Sequence, residues 1–392
     1  MVKEQDQDQE MLHLTAQSEP YGVSGIEASE WNRLTGTDLP FLRHEFLAAL
    51  ESKGCLGEAV GWIPCPLLLK DAKGHLRGAL PRYLKFNSFG EFVFDWSWAE
   101  AYERAGLSYY PKHVVAAPFT PATGTRLLTD PSLSSQDTGR ALMAHAAEMT
   151  LDAGVSSLHW LFATDPELTE RSDFLPRLGC QFHWENQGYP DFEAFLATMT
   201  SKRRKEILRE RRQVEERGLE LVCLSGLEVS AKEWQTFHAL YRGTFDKHGN
   251  YPALTLDFFK EIASTMGDQV LLVMARHEGE MVAAAYFLVG TDTLYGRYWG
   301  CVEEVPGLHF EACYYQGIEY AIAKGLKHFE PGAQGEHKIS RGFLPTTTLS
   351  YHFIPDLRFR RAIARHLAFE NQRVEAYRNA LMARSPFKQA IP

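Results

Sequence analysis

Twice along this chain a meander of expected strands runs into a loop, an amphipathic helix and one further strand, and this repeat restricts the fold more than any other feature. In the first half, residues 65–70 and 75–86 flank Asp71-Ala72-Lys73-Gly74, where Gly74 can supply the positive φ of a tight hairpin. A loop over 118–128, a helix over 137–153 and a strand over 155–162 follow, with Leu142, Ala146, Met149 and Ala153 on one helical stripe. In the second half, residues 270–276 and 281–289 flank His277-Glu278-Gly279-Glu280, and 290–293 turns into a third strand over 294–301. A loop over 302–309, a helix over 310–324 and a strand over 326–330 complete the copy, with Tyr315, Ile318 and Ile322 sharing a stripe. A strand that returns to its own sheet through a loop and a helix crosses right-handed. The pattern therefore predicts an α/β chain of two mixed sheets, each mostly antiparallel with one parallel crossover, related by internal duplication.

Length agrees with two cores, since 392 residues hold two domains of ordinary size. The expected division is a polar tail over 1–20, one domain over 21–195 and a second over 196–392. The second would open on a charged helix over 201–218 and be capped by a helix over 359–381 that aligns Ile363, Leu367 and Val374. A hydrophobic fraction of 45% with 23% charged residues is that of a packed globular protein, not a disordered one. Forty-one basic against 50 acidic side chains leave a net charge of −9, which excludes a polycation coating nucleic acid but permits a local basic patch. Six cysteines without a C-x-x-C pair argue against a zinc knuckle or a disulfide framework. No basic and apolar leader opens the chain, and no window approaches the ~20 apolar residues of a membrane span, so a cytoplasmic location is expected.

The order of elements is that of the GNAT acyltransferase fold, and several segments resemble one bacterial family. They are Phe92-Val93-Phe94-Asp95-Trp96, Ser108-Tyr109-Tyr110-Pro111-Lys112, Pro118-Phe119-Thr120-Pro121-Ala122-Thr123-Gly124, Ser201-Lys202-Arg203-Arg204-Lys205, Leu294-Tyr295-Gly296-Arg297-Tyr298-Trp299-Gly300, His309-Phe310-Glu311, and Phe329-Glu330-Pro331-Gly332-Ala333-Gln334-Gly335-Glu336-His337-Lys338. The family is the FemAB-like branch of the GNAT superfamily, whose members are labelled peptidoglycan-biosynthesis proteins or N-acyltransferases, and the resemblance runs from about residue 39 to residue 387. It implies two tandem GNAT-like domains. More distant Fem-type aminoacyl ligases share that architecture and move an amino acid from aminoacyl-tRNA to a peptidoglycan precursor. The implied activity is thus transfer of an acyl or aminoacyl group onto an amine.

Such a transfer needs a deprotonated amine, a carbonyl held against it and donors for the developing oxyanion, but no covalent enzyme intermediate. Residues 330–338 leave the end of an expected strand, where α/β ligand sites form, and present Gln334, Glu336, His337 and Lys338 among glycines. Glu336 and His337 are the acid/base candidates; a solvated turn is the plain alternative. Arg341 could hold a carboxylate or phosphate, or form an ion pair. On the expected strand, Tyr295, Arg297 and Trp299 alternate onto one face, and an arginine between two large aromatics suggests a polar pocket with Glu311 as its partner. Lys202, Arg203, Arg204 and Lys205 could clamp a phosphate-bearing donor or merely be a solvated face. The loop that would cradle a CoA pyrophosphate is acidic in the second half, Glu303-Glu304, whereas Thr123, Gly124 and Arg126 suit an anion better in the first. Asp95, Trp96, Tyr109, Tyr110 and Lys112 form a second-ranked cluster, in which Lys112 would bind an anion or reach to water. No metal-ligand spacing appears. The expected donor is therefore aminoacyl-tRNA or acyl-CoA without a tightly bound cofactor. An acyl-CoA-dependent N-acetyltransferase and a non-catalytic GNAT-fold binding protein remain as alternatives.

Overall fold

The computed structural model describes residues 14–35, 39–333 and 335–388, which cluster into two compact units. Unit 1 runs to Gly179 and takes up Thr347–Glu375; unit 2 holds Cys180–Thr346 and the chain from Ala376 onward. The chain thus changes unit at Gly179 instead of near residue 195, and then returns. The long C-terminal helix, Leu357–Met382, lies mostly in unit 1. Its Ile363 and Leu367 are buried there with Trp98, Tyr102, Tyr109 and Ile354, so its greater part does not cap the second unit as expected. Its apolar stripe told that it would be buried but not against what.

In unit 1 the strands are β1 (Thr15–Ser18), β2 (Trp62–Pro64), β3 (Leu67–Lys70), β4 (Leu76–Leu80), β5 (Arg82–Lys85), β6 (Lys112–Val115), β7 (Leu128–Thr129) and β8 (Leu158–Trp160), with the first part of β9 (Phe174–Glu185). The hairpin turns at Asp71–Gly74 as expected, and the Asp71 carboxylate accepts the N–H groups of Lys73 and His75, both at 2.9 Å. The stretch 75–86 is not one strand. It breaks at Pro81, which has no N–H to give to a ladder, and β4 and β5 then join different sheets. The crossover from β6 to the parallel β8 runs through the helix Ser135–Asp152, which Ser134 caps by accepting the Asp137 N–H. Leu142, Met143 and Ala146 on that helix pack against Leu158 and Trp160. Of the expected tail, residues 1–13 lie outside the described residues. Thr15–Ser18 pairs antiparallel with β3, and Leu14 and Ala16 pack against the cluster that contains Leu67 and Leu69, so both backbone hydrogen bonds and apolar contact hold this edge strand.

Unit 2 contains β10 (Glu220–Ser225), β11 (Val270–His277), β12 (Glu280–Val289), β13 (Thr293–Cys301) and β14 (His328–Glu330), and its sheet has the order β10-β11-β12-β13-β14-β9. The last strand, β15 (Leu344–Phe353), passes from unit 2 into unit 1, where Tyr351 pairs with Trp160 of β8. Among the described strands of that sheet only β13 and β14 are parallel, joined by the expected loop and helix. β11 and β12 are buried almost without interruption because both faces are covered. On one face Leu271, Val273, Ala285 and Phe287 meet Ala312, Tyr315 and Ile318. On the other, the helices Ala231–Lys247 and Leu256–Thr265 bring Trp234, Phe237 and Phe259 onto Tyr286.

Candidate active site

The candidate site of unit 2 grows from three local departures from regular structure. The first is in β13. Tyr286 faces Tyr298, but the next residue of β12, Phe287, faces Gly296, so Arg297 is an extra residue and the strand bulges there. A bulge reverses the alternation beyond it. Tyr298 therefore meets Tyr241 and Tyr286 on one face, while Trp299 turns to the other and packs on His309 with ring centroids 5.4 Å apart. The expected shared face of Tyr295, Arg297 and Trp299 is thus corrected: Tyr295 pairs with Leu288 before the bulge and Trp299 lies across the sheet from it.

The second departure is at the start of the crossover helix. Gly307 has φ 84°, and Glu311–Tyr315 forms a π-helical turn between the short helix Leu308–Phe310 and Gln316–Ala323. Such turns cluster at functional sites because they re-aim side chains within a helix. The Glu311 carboxylate is buried and accepts from Arg211 at 3.1 Å and Gln316 at 2.8 Å, so the structure gives it Arg211 as an ion-pair partner in place of the expected Arg297. Burial pushes its carboxyl up, against the pull of Arg211, and its Oε2 has no hydrogen-bond partner.

The third is the excursion after β14. Gly332, Gly335 and Gly342 all have positive φ and bracket the 3-10 turn Glu336–Arg341. The turn aims its side chains in different directions. Lys338 is 3% exposed and donates to the Gly332 carbonyl at 2.7 Å; burial lowers its ammonium to about 8. His337 is partly exposed, with Nε2 2.9 Å from the Tyr314 hydroxyl. Burial, then Lys338 and Arg341, hold its imidazole below the ordinary histidine value. Glu336 turns to the surface and accepts from Tyr377 at 2.8 Å and Arg384 at 2.5 Å, which lower its carboxyl. It is an ion-pair partner, and its expected role as base is withdrawn. Gln334 lies outside the described residues.

Arg341 was expected to hold an anion, and the protein supplies that anion itself. Its guanidinium, 6% exposed, donates to Glu210 at 2.6 Å and to the His337 carbonyl at 2.8 Å, and lies 3.4 Å over the Phe310 ring. Tyr315 also donates to Glu210. A buried guanidinium without such a partner would be costly. Glu210 escaped the sequence reading, although Ile207, Glu210 and Val214 are the buried residues of an otherwise charged helix, Ser201–Glu215. At the start of that helix Arg203 pairs with Glu206 at 2.7 Å, while Lys202, Arg204 and Lys205 make no side-chain hydrogen bond or ion pair among the described residues.

In unit 1 the expected anion loop is already filled. The Asp165 carboxylate accepts the N–H groups of Arg126 at 2.8 Å and Leu127 at 3.3 Å, and the Gly124 N–H goes to the Phe162 carbonyl at 3.1 Å. Arg126 is 1% exposed and donates to the carbonyls of Ala122, Gly124, Thr125 and Leu161. Gly124 and Arg126 are therefore structural, and Thr123 next to them has no free cradle to complete. Lys112 neither reaches water nor waits for a ligand: it is fully buried, pairs with Glu91 at 2.8 Å and with Asp95, and donates to Ser88 at 3.1 Å. Tyr109 donates to Asp95 and sits 3.3 Å from His159, whose other nitrogen is 2.5 Å from His352. Among the described residues no group of three or more His, Cys, Asp or Glu side chains is placed to hold a metal ion.

A family model for FemAB-like proteins of peptidoglycan biosynthesis/recognition matches residues 22–389. None of the curated proteins matches. Among solved structures, FemX superposes with a TM-score of 0.51 at 11% identity, over 86% of this chain and 98% of its own. The C-terminal DUF2156 domain of a protein assigned as a lysylphosphatidylglycerol synthetase from Agrobacterium fabrum gives 0.50 at 10%, over 88% and 96%. A conserved protein of unknown function from Bacteroides thetaiotaomicron VPI-5482 gives 0.50 at 9%, over 86% and 99%. Likeness at such identities concerns the fold, and the fold is that of two GNAT-like α/β units.

Proposed function

The chain belongs to the FemAB-like family, and from that premise we propose that it transfers an acyl or aminoacyl group onto an amine, forming an amide, at the turn that follows β14 in unit 2. One observation carries the reading: His337 and Lys338, adjacent in sequence, are held at the end of a parallel strand beside a π-helical turn, one as a neutral imidazole and one as a buried ammonium. An attacking amine must lose a proton, and His337, uncharged at neutral pH, accepts it with the Tyr314 hydroxyl fixing the ring. A tetrahedral oxyanion needs a donor in a dry site, and Lys338, mostly protonated at pH 7, supplies one; collapse of the adduct breaks the ester or thioester bond to the donor, whose leaving oxygen or sulfur takes the proton that His337 accepted.

The exposed Lys202 and Lys205, with the half-buried Arg204, favour a large phosphate-bearing donor such as aminoacyl-tRNA. Acyl-CoA is less well served. The loop before the crossover helix offers the carboxylates of Glu303 and Glu304 where a pyrophosphate would lie, and Glu304 already pairs with Lys247. No described helix is long and apolar enough to cross a membrane.

Full-length protein would be incubated with a charged tRNA pool, or with acyl-CoA, and a mixture of amine acceptors, and new amides identified by mass spectrometry. Transfer from charged tRNA that His337→Gln slows by roughly 10²- to 10⁴-fold, with unchanged thermal stability, is the expected result. Transfer from neither donor, or a His337→Gln variant as fast as the parent, would end the reading.

A further inference from the structure

Unit 2 contains a hollow of about 190 Å³ that is lined by neither His337 nor Lys338. Its floor is apolar: Val282 from β12, with Val305 and Leu308 from the loop that enters the crossover helix. Three polar side chains from three different segments stand around it. Arg217 follows the helix Ser201–Glu215, His277 ends β11 and Glu303 opens the loop. None of the three makes a side-chain hydrogen bond or ion pair among the described residues. Arg217 and Glu303, both exposed, thus line one hollow with opposite charges without pairing with each other. Val302 at the same hollow is 71% exposed, a β-branched apolar side chain with nothing over it.

We propose that this hollow binds a free zwitterionic α-amino acid with an aliphatic side chain. The guanidinium of Arg217 takes the α-carboxylate in a two-pronged hydrogen bond. Glu303 takes the α-ammonium, and His277 adds a further hydrogen-bonding group. The side chain lies on Val282, Val305 and Leu308 and covers Val302. Each part of such a ligand finds its complement, whereas a simple anion would meet Glu303 and a simple amine would meet Arg217. Size points the same way. At about 30 Å³ per water the hollow has room for about six waters, below the ~300 Å³ at which pockets for drug-sized or nucleotide ligands begin. The site does not involve His337 or Lys338, and it shares with the transferase reading only the loop of Glu303, whose carboxylate that reading uses to disfavour acyl-CoA.

Calorimetric titration of the full chain with L-leucine tests the proposal, beside three probes that each lack one anchor: isopentylamine, 4-methylpentanoate and glycine. Saturable leucine binding, with each probe weaker by about tenfold or more, is expected, because losing one charge-assisted contact costs about that factor. Arg217→Met and Glu303→Gln should each weaken leucine by a similar factor, and both positions are exposed enough for the fold to be kept. No leucine heat at about 10 mM, or amine or acid binding as tightly as leucine, overturns the proposal. So does an Arg217→Met variant that keeps its parent's affinity. If a variant fails to fold, the four compounds on the parent chain still decide the matter.

Discussion

A buried lysine between two carboxylates sets the terms at the scale of single residues. Lys112 holds Glu91 and Asp95 with all three side chains at most 1% exposed, yet Glu91 keeps one oxygen without a partner. Burial, only partly opposed by Lys112, pushes the Glu91 carboxyl up to about 7. The folded value lies above the unfolded one, so the folded form binds the extra proton. The associated stability is complete below the ordinary carboxylate value and is lost as pH rises through about 7. Glu91→Gln removes this dependence. Between pH 4.5 and 7 the parent should lose roughly 3 kcal/mol relative to the variant in urea unfolding, and a pH-independent difference would refute the assignment. The Arg341–Glu210 pair makes a second case. Arg341→Met strands a carboxylate in the core and should cost about 3–5 kcal/mol, while adding Glu210→Gln should restore much of it. A single variant within 1 kcal/mol of the parent would mean the pair is not buried as described. These pairs also mark what could be read in advance. Arg341, Lys112 and Arg126 were recognisable as residues needing an explanation, but Glu210 stands 131 positions from Arg341 and Asp165 stands 39 from Arg126, distances at which no local pattern names a partner.

At the scale of elements, the helix Ser201–Glu215 divides its charges by face. Ile207, Glu210 and Val214 go inward and Arg211 reaches Glu319 at 2.6 Å, while Lys202 and Lys205 stay in solvent at its start. If those two lysines hold a tRNA donor, Lys202→Glu with Lys205→Glu should weaken binding of total tRNA by about tenfold or more and lower the slope of log affinity against log salt by about 2. Folding stability should move by less than about 0.5 kcal/mol, as for exposed positions generally. Unchanged tRNA affinity would return the helix to a plain solvated face. Elements with their own periodicity were legible: the crossover helices, the β11–β12 hairpin and this basic helix all lie within a few residues of expectation. The helix Ala231–Lys247 was missed although Ser230 and Glu233 form a capping box visible in the sequence. The bulge at Arg297 and the π-helical turn at Glu311–Tyr315 were not legible at all. Each shifts the phase of a repeat by one residue, and local alternation holds no record of that until neighbouring strands and turns are in place.

At the scale of the whole molecule, the duplication was readable because each copy repeats its own order of elements, but the membership of each unit was not, because it depends on where the chain returns. Residues 347–375 leave unit 2 and complete unit 1. They bring Tyr351 and Phe353 to the cluster around Leu158 and Trp160, and Ile354, Ile363 and Leu367 to the cluster around Trp98 and Tyr109. A fragment ending at residue 195, the boundary that the sequence suggested, would leave both clusters open on one side. Losing the burial that these five side chains contribute, at about 1.5–3 kcal/mol each, removes about as much free energy as the whole stability of an ordinary domain. Residues 1–195 expressed alone should therefore show no cooperative thermal transition. A rearranged chain that joins 347–375 to 1–179 through a flexible glycine-serine linker should regain one. Calorimetry of the two polypeptides separates the cases: a sharp transition in the 1–195 fragment at the parent's temperature would show that the returning segment is dispensable, and that unit 1 is complete without it.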